Sequence, residues 1–279
     1  ISFCHHSSTP GVLLKLDFSK AFDSVSWPFI MDVFKHRGFS DKWCSWIDNI
    51  LNSSCSKVSV NGASGNLFKS KCGLRQGDPL SPLIFVLVAD VFNQMVKQAS
   101  YHGYLDGISL PNSPLCINNL QFADDTIIFS SPNPFHIQCL KILLYVFESI
   151  SGLSINFNKS VIYMLGKSDH LGDSISSILN CKVAKFPLFY LGLPLRPSKL
   201  HKNDWLPLIY KIESRLASWK ASSLSSMGRL TLVKSVLSAI PTHWRSFHKL
   251  PKSVICKIDS IRSSFLWNGQ KIKKLINWR

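Results

Sequence analysis

Three aspartates have the types and positions to do chemistry. Asp124 and Asp125 are adjacent in "LQFADDTIIFS" (residues 120–130), between two short apolar runs that read as strands, so the pair falls where the chain must turn. Two-residue hairpin turns favour Asn-Gly or Asp-Gly, because such turns need positive φ, so turn chemistry does not explain two acids. Like charges ~4 Å apart repel by about 4 kcal/mol at an effective dielectric of about 20, a cost that solvent, a proton or a cation must relieve. Asp17 closes a second apolar run, "GVLLKLDF" (11–18), which reads as a buried strand delivering a carboxylate at its C-terminal end. If the two segments are neighbours in one sheet, three carboxylates converge at its edge. Such hard oxygen ligands suit two Mg²⁺ ions, or Mn²⁺ in their place, and such ions serve phosphoryl transfer. Separated aspartates also serve as solvated surface groups, and spacing alone leaves both readings open.

The elements that would position these acids follow from the pattern. Ser26 and Pro28 open a helix whose Ile30, Val33 and Phe34 share a face and which Gly38 ends. Ser40 caps a second helix, in which Trp43, Trp46, Ile47, Ile50 and Leu51 form one apolar stripe expected in the core. Asn61-Gly62 predicts a hairpin over 57–70. A Gly- and Pro-punctuated loop, "CGLRQGDP", leads into a helix that Ser81 caps and Pro82 starts, apolar on nearly all sides through Val91. A loop over 100–118, a helix from about Phe135 to Ile150 that ends at Ser151-Gly152, and a strand in "LSINFNKSVIYML" with a polar interruption at Asn156–Ser160 follow. "FPLFYLGLPL" (186–195) is further extended chain. Beyond residue 200 the pattern is helical, at about 204–219, 226–239 and 251–266, with Ser-rich "ASSLSSMG" (221–228) as loop and cap.

The 279 residues suffice for one large or two small domains, and the longest apolar run, "LIFVLVA" (83–89), is too short to cross a bilayer. No membrane partner is expected. The chain opens on Ile without a signal-peptide pattern, and it reads as a piece of a longer protein. The net charge of +16 is unevenly placed: residues 1–150 balance, whereas residues 151–279 hold 21 Lys and Arg against 5 Asp and Glu. A basic second part points to a polyanionic partner, nucleic acid first, because clustered cations release counterions from phosphates. The eight cysteines form no C-x-x-C pair, so reduced, mostly buried thiols in an intracellular protein are expected; "CHH" at 4–6 lacks a matching pair at ligand spacing.

The order of the motifs carries more than any one of them. "KLDFSKAFDSVSW" is followed by "GLRQGDPLSP", then "FADD", then "SGLSINFNKS". This series resembles the palm of reverse transcriptases of the non-LTR, LINE-type retroelements of plants. The resemblance implies an α+β fold: a palm with a fingers remnant over 1–200, in which an antiparallel sheet packs on helices, and an all-helical basic thumb over 201–279. It implies an RNA-directed DNA polymerase working on an RNA template, a DNA primer and dNTP, with nuclear localisation although no targeting signal is seen.

The resemblance also assigns roles. Asp17 and Asp124 would bind both catalytic metals, with Asp125 completing the cluster. Phe22, with Phe18 beside it, would contact the nucleotide, Phe22 as a steric gate against a ribose 2′-OH. Gln76 would lie against nucleotide and template, in a loop shaped by Arg75 and Gly77, and Lys159 would stand near the leaving pyrophosphate. "YLGLPL" (190–195) resembles a hairpin that grips the primer end. The family's fingers precede the Asp17 strand, where this chain has few residues, so weak or no polymerisation by this chain alone is expected. The alternative from a different class is an inactive nucleic-acid-binding remnant of a retroelement; a metal-dependent phosphohydrolase is a distant third.

Overall fold

A computed structural model describes residues 1–109, 116–217 and 224–268, in two units, Ile1–Leu188 and Phe189–Arg279. In chain order the first unit holds α1 (Ser2–His6), β1 (Gly11–Leu16), α2 (Ala21–Ser24), α3 (Trp27–His36), α4 (Asp41–Asn52), β2 (Cys55–Val60), β3 (Ala63–Lys69) and α5 (Ser81–Tyr101). There follow β4 (Ile108–Ser109), β5 (Cys116–Ile117), β6 (Asn119–Phe122), β7 (Asp125–Ser130), α6 (Pro134–Ser151), β8 (Val161–Leu165), α7 (Gly172–Leu179), β9 (Lys182–Ala184) and β10 (Leu188–Tyr190), which runs across the boundary.

Five strands form the main sheet in the order β6-β7-β1-β8-β9. The central strand, β1, is antiparallel to both neighbours, pairing Leu14 with Ile128 of β7 and with Ile162 of β8. The resemblance implies an antiparallel sheet, and the sheet departs from that in one place: β9 lies parallel to β8. Parallel neighbours need a crossover, and α7 supplies it. Burial on both faces explains the apolar run Val12–Leu14 of β1, which Lys15 interrupts: Leu13 is as buried as Val12 and Leu14. On one face Val12, Leu14, Leu16 and Ile128 pack into a core with Ile30 and Phe34 of α3, Phe85 and Phe92 of α5, and Phe147 of α6.

Two helices bury less than their patterns predict. In α4 the buried residues are Cys44, Ile47 and Leu51, while Trp46 is 53% and Ile50 49% exposed. The Lys42 ammonium lies 5.1 Å from the Trp46 ring centre, where a cation is favoured by the ring face, so this indole is satisfied at the surface. In α5 Leu83 and Val86 are exposed, and the helix starts one residue early: Ser81 is its buried first residue, and the Asp78 carboxylate accepts from Leu80 N at 2.8 Å. Ser40 caps α4 as expected, accepting from Trp43 N, and Gly152 ends α6 at φ 75°.

The second unit contains β11 (Leu193–Leu195), paired with β10, then α8 (Leu206–Ala217), α9 (Ser226–Leu232) running into a π-helical turn at Val233–Leu237, α10 (Thr242–Phe247) and α11 (Lys252–Asn268). Its core gathers Leu193, Trp205, Leu208, Ile212, Leu237, Trp244 and Ile258. Leu193 explains why the division falls at 188 and not near 200: β11 packs with the helices that follow it. Ser225 caps α9, while residues 218–223 of the expected helix and Ser-rich loop lie outside the described residues. All eight thiols are free, but Cys55, Cys72, Cys116 and Cys256 are exposed, so burial is less general than expected. No described helix is long and apolar enough to cross a membrane.

Candidate active site

The hairpin of β6 and β7 turns on Ala123 and Asp124, since Phe122 pairs with Asp125. Asp125 is therefore the first residue of β7 and not part of the turn. The positive φ that the turn needs falls on Ala123, at 52°, which leaves Asp124 exposed at the tip. Across the sheet Leu16 pairs with Thr126, so the next residues along the two strands are Asp17 and Asp125, both half-buried. Register alone thus gathers Asp17, Asp124 and Asp125 at one end of two adjacent strands.

The 154–160 segment fixes the backbone at Asp17. Asp17 N donates to Ser160 Oγ at 3.1 Å, Asn156 N donates to Asp17 O at 2.8 Å, and Ser19 N donates to Ser154 O at 2.8 Å. Ser160 is fully buried, which holds this clamp rigid. Asn156 also accepts from Lys159 N through both its main-chain and side-chain oxygens. Lys159 thus rides, exposed, on a turn bonded directly to Asp17. Sequence reasoning missed Ser160 and Asn156; the Asx-turn potential of Asn156 three residues before Lys159 was the available signal.

A second clamp holds the loop of residues 73–78. Gly73 N donates to Val25 O at 2.8 Å, Leu74 N donates to Phe22 O, and Trp27 Nε1 donates to Gly73 O at 2.8 Å. Gln76 Nε2 then donates to Asp23 Oδ1 at 3.2 Å. Arg75 and Gly77 fall in a turn closed from Asp78 N to Arg75 O, with Gly77 at φ 86° and open space where a side chain would stand. Its third position needs positive φ, and that is why glycine is there. Phe22 is half-buried and stacked on Phe85, ring centres 4.7 Å apart. Phe18 is different: its ring is buried, edge-on to Phe147 at 6.3 Å. The Phe18 ring packs into the core. Asp23 and Trp27, both within the quoted motif series, were not singled out from the sequence.

The donor set is chemically right for Mg²⁺, being carboxylate oxygen throughout. Among the described residues no basic side chain stands within salt-bridge distance of Asp17 or Asp124. Among them, too, no three His, Cys, Asp or Glu side chains stand grouped as metal ligands. The carboxylates are brought together by backbone register, not closed into a ligand cage.

In the second unit a cleft of about 550 Å³ is lined by Arg245, Lys249 and Arg262 beside His248 and Asp259. These cations belong to the basic excess seen in the sequence.

The fold is similar to that of a solved telomerase from Candida Tropicalis in complex with a fragment of telomeric RNA. The two share a TM-score of 0.51 at 14% identity, over 92% of this chain and 39% of that one. The family is settled by sequence: residues 2–195 match the model for reverse transcriptase (RNA-dependent DNA polymerase), and the chain belongs to that family. An uncharacterized mitochondrial protein of Arabidopsis thaliana is 38% identical over 109 residues, 38% of this chain and 87% of that protein. The retrovirus-related Pol polyprotein of the type-2 retrotransposable element R2DM of Drosophila melanogaster is 28% identical over 69% of this chain. A 149 kDa protein of transposon TX1 of Xenopus laevis is 25% identical over 97% of it. The chain spans only 17% and 20% of the lengths of these two relatives, which makes it similar to one part of a non-LTR retrotransposon protein.

Proposed function

We propose that this chain is the palm and thumb portion of an RNA-directed DNA polymerase of a LINE-type retroelement, extending a DNA primer on an RNA template. The observation that carries this reading is the register of Leu16 with Thr126, which sets Asp17 beside the Asp124–Asp125 hairpin. Asp17 and Asp124, with Asp125 beside them, are the residues that would hold two Mg²⁺ ions. Such ions supply neutralisation of phosphate charge and activation of an attacking oxygen. The residues of the chain do the positioning. Phe22, backed by Phe85, presents a flat face where an incoming sugar would rest, and Gln76 is oriented by Asp23. With the Gln76 amide nitrogen donating to Asp23 Oδ1, its oxygen is left to accept from the nucleotide. Lys159 offers an ammonium for the departing pyrophosphate. The basic second unit supplies phosphate-backbone contacts without sequence preference.

The test is primer extension by this chain and by a longer chain carrying the sequence that precedes it in its gene. The expected result is Mg²⁺-dependent extension by the longer chain, weak or none by this chain alone. Asp124→Asn should abolish extension and leave duplex binding intact. Absence of extension in the longer, unsubstituted chain with duplex binding retained would establish instead an inactive nucleic-acid-binding remnant.

A further inference from the structure

The β2–β3 hairpin is exposed along its whole length. Every residue of Cys55–Val60 and Ala63–Lys69 is exposed, yet the ribbon is well specified. Asn61 and Gly62 turn it with φ of 51° and 84°, the two positive values of the tightest hairpin turn. Ser70 N donates to Ser54 O at 3.2 Å and closes its base. A lone two-stranded ribbon is marginal in water, so one held this exposed is suited to a partner.

Its charge names the partner's chemistry. Between Asp48 and Asp78 there is no acid, while Lys57, Lys69, Lys71 and Arg75 fall in the same stretch. This local excess sits in residues 1–150, whose charge cancels only when these four cations are counted. Register places Lys57, Leu67 and Lys69 on one face, because Cys55 pairs with Lys69 and Lys57 with Leu67; Phe68, opposite Ser56, is on the other. Among the described residues both outer edges are unpaired, since the sheet there has these two strands alone. We propose that the outer edge of β3 docks an extended single strand of nucleic acid. Lys57, Lys69 and Lys71 take its phosphates, and the half-exposed Phe68 stacks on a base. Cations interleaved with an aromatic on a groove or edge are what single strands select. A duplex would offer the lysines its phosphates and leave Phe68 in water. The inference rests on the polymerase reading only in naming this strand the template, which the Lys71–Gln76 connection would lead toward the Asp23–Gln76 pair.

The experiment is fluorescence anisotropy of a labelled oligouridylate, with an RNA–DNA duplex in parallel, over a range of salt. The proteins are this chain, its Lys57→Gln/Lys69→Gln/Lys71→Gln variant and its Phe68→Ala variant. All four side chains are exposed, and equal thermal midpoints would verify intact folding. The expected result for the triple variant is a salt slope shallower by about 2, at ~0.7 per single-strand phosphate contact. Phe68→Ala should weaken single-strand binding about tenfold or more with the slope unchanged. Unchanged slope and affinity, equal losses for duplex and single strand, or no single-strand binding by the parent chain would each overturn the proposal. So would a parent dimer that Phe68→Ala converts to monomer, since the ribbon would then pair with a second copy. A null result here with Asp124-dependent extension intact leaves the polymerase reading standing. Ribbon-dependent RNA binding without extension by the longer chain does the reverse.

Discussion

Gly73 lies against Asp23 so closely that a Cβ on Gly73 would stand 2.4 Å from the Asp23 carbonyl oxygen. Its φ of 83° is also one that side chains rarely adopt. Gly73→Ala should therefore destabilise the first unit by at least about 1–3 kcal/mol, the ordinary cost of such a backbone state, before the clash is added. A urea titration should show a lower midpoint at unchanged slope.

Trp27→Phe isolates one bond of the same clamp. The ring stays while the donor to Gly73 O is lost, and a half-buried hydrogen bond of this kind contributes about 1 kcal/mol. In a chain that extends primers, the dNTP KM should rise more than kcat falls, because the loop bearing Gln76 loosens while the carboxylates stay put. Equal losses in both would argue against positioning.

Arg196 reaches Asp204 through two nitrogens, at 3.0 and 3.3 Å, and Asp204, 5% exposed, also accepts from His201 N at 2.7 Å. Removing Arg196 leaves the buried Asp204 with only the His201 N–H, so Arg196→Met should cost about 3 kcal/mol. The double variant Arg196→Met/Asp204→Leu should regain a large part of that loss, as read from thermal midpoints.

Burial pushes the Cys181 thiol up to about 11 from 9.0, with the Lys141 ammonium pulling partly against it. Burial also raises Tyr163 above its usual 10.0. Both groups stay protonated in the folded chain at pH values where the unfolded chain ionises. Their contribution is thus whole below pH 9 and fades as pH climbs toward 11, by up to about 2 kcal/mol for the cysteine. Cys181→Ala should flatten the fall of stability across that window. At pH 8 an alkylating reagent should modify Cys55, Cys72, Cys116 and Cys256 well before Cys181.

The sequence was most readable where local chemistry decides the outcome. The apolar run of β1, the Asn61-Gly62 turn, the Ser40 cap and the Gly152 stop are each set by a few neighbouring residues, and the structure has them where the pattern puts them. The juxtaposition of Asp17 with the Asp124 hairpin was legible only as a condition on strand order, which periodicity does not contain. The bonds that immobilise the site join residues distant in sequence: Ser160 to Asp17, Trp27 to Gly73, Gln76 to Asp23. Their residue types are common, and only the fold brings them within reach. Helical periodicity also overstated burial in α4 and α5, because an apolar residue on a helix says nothing of whether another element arrives to cover it.

Since β1 is flanked by β7 and β8, its partners are synthesised more than a hundred residues after it. On the ribosome the β-prone strand must wait for Asp125–Ser130 to cover one edge and for Val161–Leu165 to cover the other. Long-range pairing of this sort makes for slow folding and a window for misassociation. A nascent chain halted between β7 and β8 would carry β1 with one edge open, and should depend on chaperones in a way that the finished sheet does not.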